Sequence, residues 1–109
     1  MYSRSLNSII LEDGVKSIGY QAFVESTNLK TVVLPATIES IGSEAFWGCS
    51  NITSIICKAI NPPTCDNYTF GKVNKDIPLY VPASSVSTYR TTDYWSNFTS
   101  ILPIKEDIV

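Results

Sequence analysis

The amino-acid sequence predicts a solenoid, β-rich with short helical turns, of about three to four stacked coils closed by a C-terminal cap. Three features of the chain carry that expectation. Residues 6–28 and 29–51 are two copies of one pattern, pairing Leu6 with Leu29, Leu11 with Leu34, Ser17 with Ser40, Ile18 with Ile41, Gly19 with Gly42, Ala22 with Ala45, Phe23 with Phe46 and Asn28 with Asn51. The second is that the apolar positions that differ change only in shape, as Ile9/Val32, Ile10/Val33 and Val15/Ile38 do. A copy this short cannot bury its own apolar face, and stacking on a neighbour is what offsets the entropy of ordering it. The third is the tail, where Val86, Tyr89, Tyr94 or Trp95, Phe98 and Ile101 recur at helical spacing.

Within each copy, the alternation over Ile9, Ile10 and Leu11 reads as a strand, with Leu6, Ile9 and Leu11 facing the core. Gly14 permits the turn that follows, and Pro35 stops the strand of the second copy. Val15 and Ile18 point back inward on the return path, Gly19 turns the chain, and Ala22-Phe23 fits a single helical turn with its ring in the core. The third copy, 52–75, opens in register with Ile52, Ile55, Ile56 and Cys57 and then departs: INPPTCDNYTF replaces its second half, and Thr69-Phe70 arrives one residue late. A further strand, IPLYVP at 77–82, aligns Pro82 with Pro35, so that 76–104 reads as strand and cap and 105–109 as a tail. Ser84 or Ser85 is the expected N-cap of the helical segment. Residues 1–5 are too few and too polar to cover Leu6, Ile9 and Ile18, so the protein is expected either to extend upstream or to self-associate through this uncapped end.

Composition narrows the function classes. The 109 residues are 44% hydrophobic and 17% charged, an ordinary folded domain rather than a disordered one. Net charge is −2 with Lys and Arg scattered singly, so no basic stripe exists to neutralise phosphates, and nucleic acid is not an expected partner. Apolar runs are far shorter than the roughly 20 residues that span a bilayer, so no membrane span is expected. Cys49, Cys57 and Cys65 are odd in number and evenly spaced, and read as buried thiols rather than a disulfide framework or a zinc site. Without a single histidine, imidazole-based triads and metal sites are excluded. Glu12-Asp13 and Glu106-Asp107 read as solvated charge, and the dispersed glycines form no phosphate loop. No catalytic, cofactor-binding or metal-ligating residue is assigned, and no enzyme is expected.

The pattern L-x-x-I-x-L-P-x-x-I-x-x-I-G-x-x-A-F-x-x-C is carried by Leu29, Val32, Leu34, Pro35, Ile38, Ile41, Gly42, Ala45, Phe46 and Cys49. It resembles the BspA-type leucine-rich repeat of bacterial surface proteins, over essentially the whole chain. The first copy departs from it with Glu12 at the proline place and Ser26 at the cysteine place. The resemblance implies a leucine-rich-repeat solenoid with a strand-lined concave sheet. It also implies a non-enzymatic, cell-surface or secreted module that binds proteins, such as host matrix or the surfaces of other cells.

Two columns are expected across the exposed strand face. Ser8, Thr31 and Ser54 form a small polar one, and Ile10, Val33 and Ile56, continued by Tyr80, an apolar stripe. Contiguous exposed apolar surface marks contact with a partner, although β-propensity, the tail or a dimer mate would explain the same stripe. Trp47, whose repeat-mate is Val24, reads as an interface anchor, as a stacking platform for a sugar ring, or as a ring lying over the third copy near Tyr68 or Phe70. A carbohydrate-binding surface using Trp47, Tyr80 or Trp95, and a purely structural end-cap of a longer array, are the alternative functions. Asn51, Asn67 and Asn97 each open an N-x-T triplet, and Asn51 reads as structural because it repeats Asn28.

Overall fold

The computed structural model describes residues 7–105. The expectations placed on Leu6, on residues 1–5 and on Glu106-Asp107 lie outside the described residues. The chain forms strands β1 (Ser8–Ile10), β2 (Ser17–Ile18), β3 (Thr31–Leu34), β4 (Ser40–Ile41), β5 (Ser54–Cys57), β6 (Pro78–Val81) and β7 (Ser100–Pro103). A 3-10 turn at Ala83–Ser85 leads into helix α1 (Val86–Thr91), and a second 3-10 turn spans Trp95–Asn97. β1, β3, β5, β6 and β7 make one parallel sheet in that order, while β2 pairs with β4 in a smaller one that Thr64 extends by a bridge to Ser40. A parallel, strand-rich stack with few short helices is a repeat fold.

The register follows the repeat. Ile9 pairs with Val32, Val32 with Ile55, Ile55 with Leu79 and Leu79 with Ile101, so one residue of each strand enters the core beside its equivalent. All five are buried. β7 is a fifth strand of the same ladder, where the tail was expected only to close the stack. It carries Ser100-Ile101-Leu102 in the pattern of Ser54-Ile55-Ile56.

The far side of each repeat is not the helical turn that Ala-Phe suggests. Residues 20–25 form a run of turns, because Gln21 (φ 57°) and Glu25 (φ 56°) adopt left-handed backbone that no α-helix contains. This arrangement gives the amides of residues 21–26 partners. Ala22, Val24 and Ser26 donate locally to Gly19, Gln21 and Phe23, whereas Gln21, Phe23 and Glu25 donate to Ser43, Ala45 and Trp47 of the next repeat. Backbone hydrogen bonds therefore join the repeats on the turn side as well as in the sheet. Two of these inter-repeat bonds recur across the one-residue delay of the third copy, where Phe46 N–H donates to Thr69 C=O at 2.9 Å and Gly48 N–H to Gly71 C=O at 2.8 Å.

A ring stack runs through the core. Phe23 and Phe46 stack at 5.4 Å, and Phe46 and Phe70 at 5.6 Å with rings 3° from parallel. The stack then meets the C-terminal aromatics: Phe70 packs on Trp95 at 5.4 Å and edge-on to Phe98 at 5.5 Å. Trp95, rather than Tyr94, is the buried ring, and Tyr94 is exposed at a positive φ.

The irregular half of the third copy is where that C-terminal segment docks. Ser85 Oγ donates to Ile60 C=O at 2.7 Å, Tyr89 Oη to Ala59 C=O at 2.7 Å, and Trp95 Nε1 to Pro63 C=O at 2.9 Å. Residues 59–63 leave the repeat pattern and offer three carbonyls, and three polar side chains of the segment satisfy them. Ser85 does stand at the N-cap of α1, but its hydroxyl makes no capping bond and donates instead to the Ile60 carbonyl.

Candidate functional site

The outward face of the large sheet carries the expected stripe in register, Ile10 beside Val33, Val33 beside Ile56 and Ile56 beside Tyr80, and Leu102 of β7 adds a fifth member. Its exposure differs from the expectation. Ile10 is 70% exposed and Leu102 39%, but Val33 is only 9% and Ile56 6% exposed, with Tyr80 between. Parallel strands about 4.8 Å apart place each β-branched side chain against a large neighbour on both sides, which removes most of its accessible surface. The stripe is therefore a packed ridge whose free apolar surface lies at its two ends. The polar column beside it starts at Ser8, exposed, and continues through the half-buried Thr31 and Ser54.

Trp47 is half-buried on the turn side, and of its expected placements it takes the one over the third repeat. The indole lies against the Gly71 backbone, so closely that a Cβ there would stand 2.3 Å from its Cδ1. The Lys72 ammonium stands over the ring at 5.3 Å from its centroid, a cation–π geometry. Grooves open on two sides of it, one bounded by Thr27, Ser50 and Lys72, the other by Gln21, Glu44 and Tyr68. Sequence reasoning gave Gln21 and Glu44 no role. Their common place in the repeat, one copy apart, was the available signal.

The thiols are free, with Cys49 and Cys57 buried and Cys65 half-buried. Cys49 Sγ donates to Phe23 C=O at 3.0 Å, and Cys57 Sγ lies 3.3 Å from Tyr89 Oη. Burial raises all three thiols, and Cys65 is pushed up to about 12 by burial and by the nearby Asp66 and Cys57. Their thiolate forms are thereby disfavoured. Burial and its contact with Cys57 likewise raise the Tyr89 phenol. Asn51 Nδ2 donates to Thr27 C=O at 2.6 Å, a bond between repeats that accounts for the asparagine at this position. Among the described residues, no cluster of three or more His, Cys, Asp or Glu side chains could hold a metal ion. No helix there is long and apolar enough to cross a membrane.

With five parallel strands in repeat register and an Ala-Phe turn in each of the first two copies, comparison with known families becomes decisive. The family model for the BspA type leucine-rich repeat region, described as six copies, matches residues 1–101. The chain belongs to the BspA-type leucine-rich repeat family. A search of the curated proteins found no match. Repeats of this class are generally protein-interaction modules without enzymatic activity.

Proposed function

We propose that the chain is a non-enzymatic adhesion module of a bacterial cell-surface or secreted protein, binding a protein ligand such as host matrix or another cell-surface protein. In this reading the repeats wind as a solenoid, the outward sheet face is its concave side, and the segment after β6 is its cap. The observation that carries it is the apolar stripe with Ile10, Leu102 and Tyr80 as accessible members and Thr31 and Ser54 as polar flank. Apolar anchors set in a polar surround are what interfaces use to gain energy and orientation together. Val33 and Ile56 support these anchors from within the ridge. Self-association through the β1 end accompanies this reading.

The experiment is binding to immobilised extracellular-matrix proteins by Ile10→Asp and Tyr80→Ala. Both residues retain enough exposure to be changed without unfolding the chain, whereas Ile56→Asp would place a carboxylate in the packed ridge. Each variant is expected to melt within a few degrees of the parent and to bind at least about tenfold more weakly. Binding unchanged in both removes the sheet face from consideration.

A further inference from the structure

The groove between Trp47 and Tyr68 is independent of the sheet face. It measures about 430 Å³ and crosses three repeats, with Gln21, Glu44 and Tyr68 along one side and Val24, Glu25 and Trp47 along the other. That volume falls within the range of small-ligand sites, about 300–1,000 Å³. Glycines shape its surroundings. Gly71 occupies the repeat position of Trp47, so the third repeat contributes no side chain there and the indole lies across it. Gly48 occupies the position of Glu25, and a Cβ on it would stand 2.9 Å from Glu25 Cγ.

The polar side chains are held in place. Gln21 Nε2 donates to Glu44 Oε1 at 2.7 Å. This fixes the amide and, by valence, leaves its oxygen and the second oxygen of the carboxylate to accept hydrogen bonds from a ligand. Gln21, Glu25 and Glu44 all adopt positive φ (57°, 56° and 58°), where glycine would be unstrained, as Gly48 is in the next repeat. Long polar side chains thus stand at positions whose backbone favours having none. Tyr68 is 56% exposed and presents a flat ring with a hydroxyl at its edge.

We propose that this groove binds a neutral oligosaccharide, the apolar face of a pyranose ring lying on Tyr68 against Trp47, with its hydroxyls donating to Gln21 and Glu44. An aromatic surface beside fixed amide and carboxylate acceptors matches a ring that is apolar on its faces and hydroxylated around its rim. Carboxylates beside aromatic rings also suit the lysine or arginine of a peptide. The Lys72 ammonium already stands over the indole, however, and repels a second cation from that ring. A hydroxyl-rich ring is the class that uses the aromatic surface and both acceptors together, and a cationic peptide is an outcome of the test.

The test titrates the whole chain with short neutral oligosaccharides of glucose, galactose, mannose and N-acetylglucosamine, following backbone amide shifts and iodide quenching of tryptophan fluorescence. Trp95 is buried, so ligand-dependent protection from iodide reports on Trp47. The expected result is saturable binding of at least one series, shifts centred on Gln21, Glu44 and Tyr68, and a loss of affinity of about tenfold or more in both Tyr68→Ala and Glu44→Ala. Melting curves establish that each variant is folded, and Tyr68→Phe, which keeps the ring, should retain most of the affinity. Absence of saturable binding by every series, or binding unchanged in both alanine variants, overturns the proposal. So does binding of a lysine-rich peptide at the same residues in place of every sugar.

Discussion

Asp66 shows how one side chain restores order after the irregular stretch of the third repeat. Its Oδ1 accepts from the Tyr68 amide at 2.8 Å and the Thr69 amide at 3.1 Å, while Thr69 Oγ1 accepts from the Asp66 amide at 3.0 Å. Burial raises the carboxyl, but hydrogen bonds from Tyr68, Ser43 and Thr69 outweigh it and hold Asp66 below the usual carboxylate range. A depressed folded-state pKa contributes stability that is present above the unfolded value of about 3.9 and is lost as pH falls through the folded one. Asp66→Ala is therefore expected to cost about 1 kcal/mol at neutral pH. Asp66→Asn should retain part of that and weaken the acid dependence of the melting temperature. A melting series between pH 7 and strongly acidic conditions checks this, and an unchanged acid profile in Asp66→Asn would refute it. Nothing in the repeat pattern points to this residue, because its equivalent in the second copy is Gly42.

At the scale of elements, the chain after β6 holds by three side-chain donors on three carbonyls of residues 59–63, and those bonds lie among packed rings. Tyr89→Phe keeps the ring but leaves the Ala59 carbonyl without its donor, and is expected to cost about 1–3 kcal/mol. Chemical denaturation checks this, and a change below about 0.5 kcal/mol would show that water replaces the phenol. Strands β1, β3 and β5 were legible in the sequence, since each is an apolar identity returning at a fixed interval, and the departure of the third repeat was legible too. Its cause was not, because carbonyls offered to Ser85, Tyr89 and Trp95 are a tertiary match without a local signature. β7 was missed because it follows a stretch whose aromatic spacing is helical, although α1 ends at Thr91. The turns at Gln21 and Glu25 were missed because Ala-Phe suits a helix and neither residue advertises a positive φ. At the candidate sites the columns were legible, while the shielding of Val33 and Ile56 and the seat of Trp47 depend on neighbours in other repeats.

For the whole molecule, the two ends of the stack differ. At the β1 end Phe23 is half-buried, and an apolar recess of about 220 Å³ opens among Leu11, Val15, Ile18, Ala22 and Phe23. Ser26 is fully buried there and its hydroxyl has no partner among the described residues. Its repeat-mate Cys49 donates to Phe23 C=O, one repeat back, so the acceptor suited to Ser26 is a carbonyl of a repeat stacked on β1. An unsatisfied buried hydroxyl costs about 1–3 kcal/mol, so Ser26→Ala is expected to stabilise the monomer by about 1 kcal/mol. Self-association through this end at high concentration should bury the apolar recess and raise the apparent stability of parent and variant alike. Sedimentation velocity and denaturation over a concentration series check both parts, and a monomer at every concentration rules out pairing through this face. The opposite edge behaves differently. Arg90 Nη2 donates to Ile101 C=O at 3.0 Å, a carbonyl of β7 that faces away from β6. A stack that can lengthen at both ends grows into a filament, whereas one with a single reactive end stops after one addition. The guanidinium of Arg90 thus occupies a backbone acceptor on the outer edge of the terminal strand, the place at which one more repeat would have to pair.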